Sequence, residues 1–544
     1  MIPSLPEDIY VTIFNHLSLH DVLSMRKVCR AFNSMTRLRG LWISFLRSEI
    51  WAHNIPVPQL DVDRLDAPQL EKWVMSSLRL HRNWTSTTPI TKQRRYITTA
   101  LPQARIASMH FTTLDGRSCL LSFSLTNRVE PRMLAIECWE LSTLKCKARR
   151  TLQWFGGYAV NSDPTSLGLM AIRTPHIEVL GFDPYASDPE SAFTTLFTLS
   201  AVAKSILSLT GTTIIFRSMD GKIKMLDILR PLYEIHLEDN THIPPNQPDS
   251  FQAIVEEDYA LILRPKTLAL YSLETFRTGR HSPSVPLSPL QVHEFPWRID
   301  SCCMERQTTP SSVRYHLNSD KPRSSSFRPP RPPATINILI RFSSLFPWPV
   351  NMLHHLVLYP DSSYLVPPPP SAENDNNSES PTLTDTLTWR NINPNNLPYE
   401  FPPVLSQMIV SPVRLFAITD MVLGPYGTAV WLDSHTEDFF YHGDVGQRLA
   451  GVVVTPSPPD SEAPEEGKRN DDEAGDEDRD AQDESPDESH ATAGERTSTQ
   501  MTATIVFGAH ESDDWTKIAI DEGHGRVAVG AVNGEIMIDD YAQR

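Results

Sequence analysis

Asp476, Asp478 and Asp480 alternate within the run GDEDRD, the spacing of the first three ligands of a calcium loop. The sixth loop position is Ala481, where such a loop needs glycine for its sharp turn, and no amphipathic helix flanks the run. Cys302 and Cys303 are adjacent and cannot both face one metal without strain, so buried thiols are expected there. His354 and His355 fall in the strand-like run MLHHLVL and read as packing residues. Gly523 and Gly525 precede a strand pattern, whereas a dinucleotide-binding glycine run opens a helix. The chain holds no G-x-x-x-x-G-K-[ST], H-E-x-x-H or G-x-S-x-G run. No catalytic constellation, metal site or cofactor is therefore expected, and the protein reads as non-enzymatic.

The residues with most work to do are apolar. In the opening stretch MIPSLPEDIYVTIFNHLSLHDVLSMRKVCRAFNSM, Ile9, Ile13, Phe14 and Leu17 recur at helical intervals. Pro6 suits a first helical position, where its missing N–H costs nothing, and Ser4 with Glu7 has the spacing of a capping box. A second helix is expected from about Asp21, with Val22, Met25, Cys29 and Phe32 on one stripe and Leu23 and Val28 off it. A surface helix normally carries one apolar face, and short helices depend on packing partners. Two apolar sides in so small a unit imply two contacts, one with its own small core and one with another protein.

These residues also carry a family resemblance. Leu5-Pro6-x-Asp8-Ile9, then Ile13 and Leu17, Asp21-Val22-Leu23, Val28-Cys29-Arg30-x-Phe32 and Leu41-Trp42 resemble the F-box in order and spacing. The departures are Asp8 for glutamate, Val22 for leucine and Phe32 for tryptophan. The later stretch LEKWVMSSLRLHRNW is similar to a helix that follows the F-box in many basidiomycete fungal members. The resemblance implies binding to a Skp-type adaptor and, through it, to a cullin–RING ubiquitin ligase. Leu5, Pro6, Ile9, Ile13, Leu17, Leu23 and Val28 would then form the adaptor interface or its direct support. Which of them point outward is not decided by sequence.

The elements that must position this module follow from composition. A chain of 544 residues exceeds what one core supports, and 46 prolines against 22 glycines argue against a helix-dominated protein. The expected fold class is α+β multidomain: a small helical F-box at 1–46, a helical linker at 47–94, and a large all-β domain at 95–454 and 501–544. Within the linker, a helix over about 67–82 would bury Leu70, Trp73, Val74, Leu78 and Leu80, as a connector packed on the next domain. Short apolar runs such as CLLSFSL, LMAIR and TLALYSL read as strands, and TTLDGRSCLL, FRSMDGKIKML and VGAVNGEIMI read as hairpins with primed turns. Many short antiparallel strands suggest a β-propeller or a large sandwich, although no clean repeat period is visible. The last 30 residues loosely resemble one WD-type repeat without its Trp-Asp ending.

Three stretches interrupt the strands: the basic, Pro-rich 321–333, the polar 366–398 and the acidic 455–500, all expected as disordered insertions. Net charge is −17, and residues 460–496 alone hold 16 acids against 4 bases, so the rest of the chain is close to neutral. RPPRPP contains P-x-x-P, and Thr455, Ser457 and Ser485 each precede proline; a solvated spacer is the plainer reading of both. Arg26, Lys27, Arg30, Arg37 and Arg39 alternate with apolar positions, which suggests a solvated face and no nucleic-acid partner. Six cysteines without a C-x-x-C pair, and an N-terminus without a basic stretch and apolar signal core, point to reduced thiols in cytoplasm or nucleus. The most apolar run, INILIRFSSLFPWPV, is broken by Arg341 and two prolines, so no membrane partner is expected. The expected function is a substrate receptor of a ubiquitin ligase, with an unidentified protein substrate held by the β domain. The alternatives are a non-degradative scaffold that binds the adaptor alone and, unsupported by any catalytic motif, a propeller hydrolase.

Overall fold

A computed structural model describes residues 6–14, 16–58, 62–101, 103–126, 132–153, 155–200, 203–238, 252–256, 258–277, 286–308, 333–342, 352–361, 364, 397–411, 419–434, 446–454, 499–502 and 505–542. Five short helical segments open it: α1 (Glu7–Phe14), α2 (Leu19–Met25), α3 (Arg30–Met35), α4 (Arg39–Phe45) and a π-helical turn, Leu46–Trp51. The expected second helix is two. Its carbonyls at Ser24 and Met25 accept from Lys27 and Val28 in tight three-residue turns, and Cys29 turns extended to cap α3. Breaking there re-aims the apolar residues, so the stripe from Val22 to Phe32 does not exist as one line. Ser18 caps α2 with Asp21 in its first turn, and Pro6 stands just outside α1, its carbonyl accepting from Ile9 and Tyr10. Ser4 lies outside the described residues.

Helix α5 (Ala67–Trp84) follows, started by a reciprocal capping box between Asp66 and Gln69 (2.8 and 2.9 Å). It buries Leu70, Val74, Ser77, Leu80 and Trp84. Trp73 and Leu78, expected on the buried side, are only half-buried.

From Gln93 onward the described residues form seven sheets, one of five strands and six of four, arranged as a seven-bladed propeller. Blades 1 to 6 span 104–152, 158–199, 203–237, 252–294, 299–410 and 421–510. Blade 7 takes three strands from 515–540 and its outermost strand, Gln93–Thr98, from the other end of the domain. Six residue pairs, Gln93↔Asp540 through Thr98↔Glu535, make this closure, and Arg94 clasps Asp539 with two bonds of 2.6 and 2.8 Å. Closing the ring in this way leaves blade 7 no open seam. The propeller, not the sandwich, is the fold.

Turn chemistry differs in detail from expectation. Asp115 and Gly116 both have positive φ (49° and 70°), as a primed two-residue turn requires. At Asp220-Gly221 and Asn533-Gly534 only the glycine does, because those connections are four and three residues long, 219–222 and 532–534. Most of 321–333, 366–398 and 455–500 lies outside the described residues. At their edges, however, Leu397 packs on the core of blade 5, and Thr499–Thr502 adds as a parallel fifth strand to Val404–Val410. A free strand edge offers backbone partners to any extended segment, even one flanking a polar run. Among the described residues no helix is long and apolar enough to cross a membrane.

Candidate functional site

The helical module has a dense core. Tyr10 and Phe14 of α1, Val22 of α2, and Leu41, Trp42 and Phe45 of α4 are buried together with Leu70 and Val74 of α5. Within it Arg26 is held on three sides. It pairs with Glu71 (2.5 and 3.1 Å), donates to the Thr36 hydroxyl and carbonyl, and lies 5.8 Å from the Trp42 ring centre. Arg39 likewise donates to the carbonyls of Val62 and Leu65. Two of the five basic residues expected on a solvated face are therefore ties within the module. A guanidinium can satisfy several carbonyls at once, which an ammonium cannot do in fixed geometry.

With Tyr10 and Phe14 turned inward, their neighbours one position earlier face out. Ile9 and Ile13 are each 45 % exposed, one turn apart on α1, and Val28 at the turn after α2 is 70 % exposed. Pro6 is exposed as well, while Leu17 and Leu23 are half-buried against the core. Leu5 lies outside the described residues. The six described candidates thus divide into four that are exposed (Pro6, Ile9, Ile13, Val28) and two half-buried against the core (Leu17, Leu23). Residues 2–48 match the F-box-like family.

The N-terminal module is F-box-like. No curated protein matches the chain.

How the F-box is mounted on the propeller is set by α5. Its first half, Leu70 and Val74, belongs to the F-box core, and its last turns, Leu80 and Trp84, to a core shared by blades 6 and 7. Trp84 meets Phe507 and Tyr541 edge-on (ring centres 5.0 and 5.4 Å) and donates its indole N–H to the Thr428 hydroxyl at 3.1 Å. An 18-residue helix is about 27 Å long and, gripped at both ends, acts as a strut. A second bond runs alongside, from the Tyr426 hydroxyl to the Val57 carbonyl at 3.1 Å. Gly523 lets the backbone of Val57 and Pro58 approach so closely that a Cβ would meet it at 2.9 Å.

Beneath this joint lies Glu522, buried between blades 6 and 7. Its carboxylate accepts from the N–H groups of Tyr426 (2.7 Å) and Thr428 (2.8 Å). Burial pushes its pKa up to about 7 against the pull of those donors. Glu305, on the inner strand of blade 5, is likewise raised to about 7 by burial, with Glu522 a further cause. Sequence reading missed Glu522, Arg26 and Glu71, since nothing local marks a carboxylate that folds under a turn about 95 residues away. The D-x-x-Q start of α5 was readable.

The remaining chemistry-bearing candidates have packing roles. His355 is buried against Asn337 Oδ1 (3.1 Å), its pKa lowered to about 4 by desolvation, and His354 stands edge-on to Phe342. Burial raises the pKa of both adjacent thiols, Cys302 to about 12, and Cys303 donates to the Met421 carbonyl. Among the described residues no three His, Cys, Asp or Glu side chains gather as a metal site would need. The Asp476–Asp480 run lies outside the described residues.

Proposed function

We propose that this protein is a substrate-recognition subunit of a cullin–RING ubiquitin ligase, working in cytoplasm or nucleus. Its F-box would grip a Skp-type adaptor, and its propeller would hold a protein substrate. The observation that carries the reading is the exposure of Ile9 and Ile13, one turn apart on α1, and of Val28 after α2, on a module that matches the F-box-like family. Such a subunit needs no nucleophile of its own. Its contribution is proximity, raising the effective concentration of a substrate lysine at a thioester carried by another subunit.

Blade topology supports a division of faces. The turns 424–427 and 522–525 contact the F-box linker, so connections made at that end of each blade face the F-box. Loops at the opposite end include 219–222 and 295–298, where Met219 and Trp297 are exposed. These loops are the proposed substrate side.

The test is co-purification of the full chain with adaptor and cullin. Burying an isoleucine is worth about 1.5–3 kcal/mol, so Ile9→Glu with Ile13→Glu should weaken adaptor binding by at least ~100-fold. The melting temperature should stay put, because neither side chain is in the core. Capture of the adaptor at the unsubstituted level would refute the assignment. Adaptor retained without cullin would favour the scaffold reading.

A further inference from the structure

Where α5 ends against the closing blade, the surface holds a pocket of ≈ 280 Å³. Arg79 and Arg82 reach it from α5, and Lys92 from the residue just before the ring-closing strand. Buried Tyr541 lines it from blade 7, and Ile90, 64 % exposed, gives it one apolar side. Its neutral polar groups are already engaged. The Asn83 amide donates to the carbonyls of Ile90 and Tyr541 and accepts from the Ile90 N–H, and Ser86 donates to the Asn83 carbonyl. Acids on the adjoining strand are engaged too, Asp539 with Arg94 and Asp540 with Arg526. None of Arg79, Arg82 and Lys92 pairs with an acid among the described residues. Three like charges around one concavity repel one another, Arg79 and Arg82 at helical i, i+3 spacing most directly. An anion would relieve that repulsion.

The chain supplies one nearby. The last described residue before the acidic stretch, Val454, bonds through its N–H to the Gly427 carbonyl at 2.8 Å. The next residue, Thr428, receives the Trp84 indole N–H, and Trp84 packs on Tyr541 of the pocket. The last described residue before the acidic stretch thus lies two side chains from the cationic pocket. Between Val454 and Thr499 lie 44 residues, ~150 Å of contour at most, and residues 460–496 among them carry a net −12. Tethering of this kind gives a segment an effective concentration in the millimolar range at sites within reach.

We propose that the pocket formed by Arg79, Arg82 and Lys92 is an anion site that the chain's own acidic segment, residues 460–496, occupies in cis. Occupancy bridges α5 to the strand that closes the ring and so braces the mounting of the F-box on the propeller.

The experiment uses the full chain, the same chain with 460–496 replaced by Gly-Ser of equal length, and that chain with Arg79→Glu and Arg82→Glu added. The probe is a fluorescent peptide of residues 471–488. The peptide should bind the Gly-Ser chain in low salt, and bind the full chain at least tenfold more weakly, because the site is taken. It should be lost from the charge-reversed chain, whose melting curve reports that the fold is kept. Equal binding to the full and Gly-Ser chains would overturn occupancy in cis. No binding to the Gly-Ser chain, or undiminished binding after charge reversal, as expected if the basic stretch 321–333 is the true acceptor, would overturn the site.

Discussion

Ile9 and Tyr10 are sequence neighbours with opposite tasks, one outward and one in the F-box core, and such single-residue assignments are where burial does its sorting. Glu522 is the clearest case among charged residues, because its environment has a measurable consequence. In the folded chain it holds its proton to about pH 7, whereas unfolded it would release it near the ordinary 4.5. Between those values the folded state binds more protons, so stability falls as pH rises through that window; below it the group contributes nothing, and above it the full loss persists. Glu305, raised to about 7, acts with the same sign. For Glu522 alone the effect is at most about 3 kcal/mol. Buried His355 and His110, both lowered to about 4, act with the opposite sign up to pH 6.5, so the comparison is between proteins. Across about pH 5 to 8 the melting temperature of the unsubstituted chain should fall relative to that of Glu522→Gln, in which the histidines are unchanged. Identical slopes in the two proteins would show that Glu522 ionises freely.

Helix α5 packs into the cores of both folding units and should couple their unfolding. Trp84→Ala would remove the indole from the core of blades 6 and 7 along with its bond to Thr428, a truncation that costs about 3–5 kcal/mol. Calorimetry should then show the single unfolding transition dividing, with the F-box and α5 separating from the propeller; a single unshifted transition would place the coupling elsewhere. The existence of α5 was readable from its apolar spacing, and the strands from their short β-rich runs between turns. What could not be read were the break at Cys29 and the division of Ile9 and Ile13 from Tyr10 and Phe14. Both depend on what the other helices bury, not on local preference. The repeat period was hidden for a different reason. Blades 1 to 5 start at 104, 158, 203, 252 and 299, a fair rhythm, but the next start at 421 and 515 because long insertions sit inside blades 5 and 6. Insertions between strands cost a closed ring little, since loop-closure entropy grows only slowly with length. They nonetheless erase the period.

At the scale of the whole molecule, the strand that closes the ring is covalently joined to the F-box unit, through α5 and the seven residues between Trp84 and Lys92. Gln93–Thr98 supplies the outer edge of blade 7, with Ile97 buried against the core of blades 7 and 1 and Arg94 clasping Asp539. F-box mounting and propeller closure therefore use consecutive elements of the chain. Two truncations separate the contributions. A chain beginning at residue 87 keeps the closing strand but loses the α5 strut and opens the pocket of Trp84; it should remain a propeller, melting cooperatively at a lower temperature. A chain beginning at residue 100 also loses six paired residues and the Arg94–Asp539 clasp, leaving blade 7 with three strands and an open edge. It should lose cooperative melting and associate through that edge, which light scattering would detect. If the two truncated chains melt alike, ring closure by the first strand contributes nothing to the propeller.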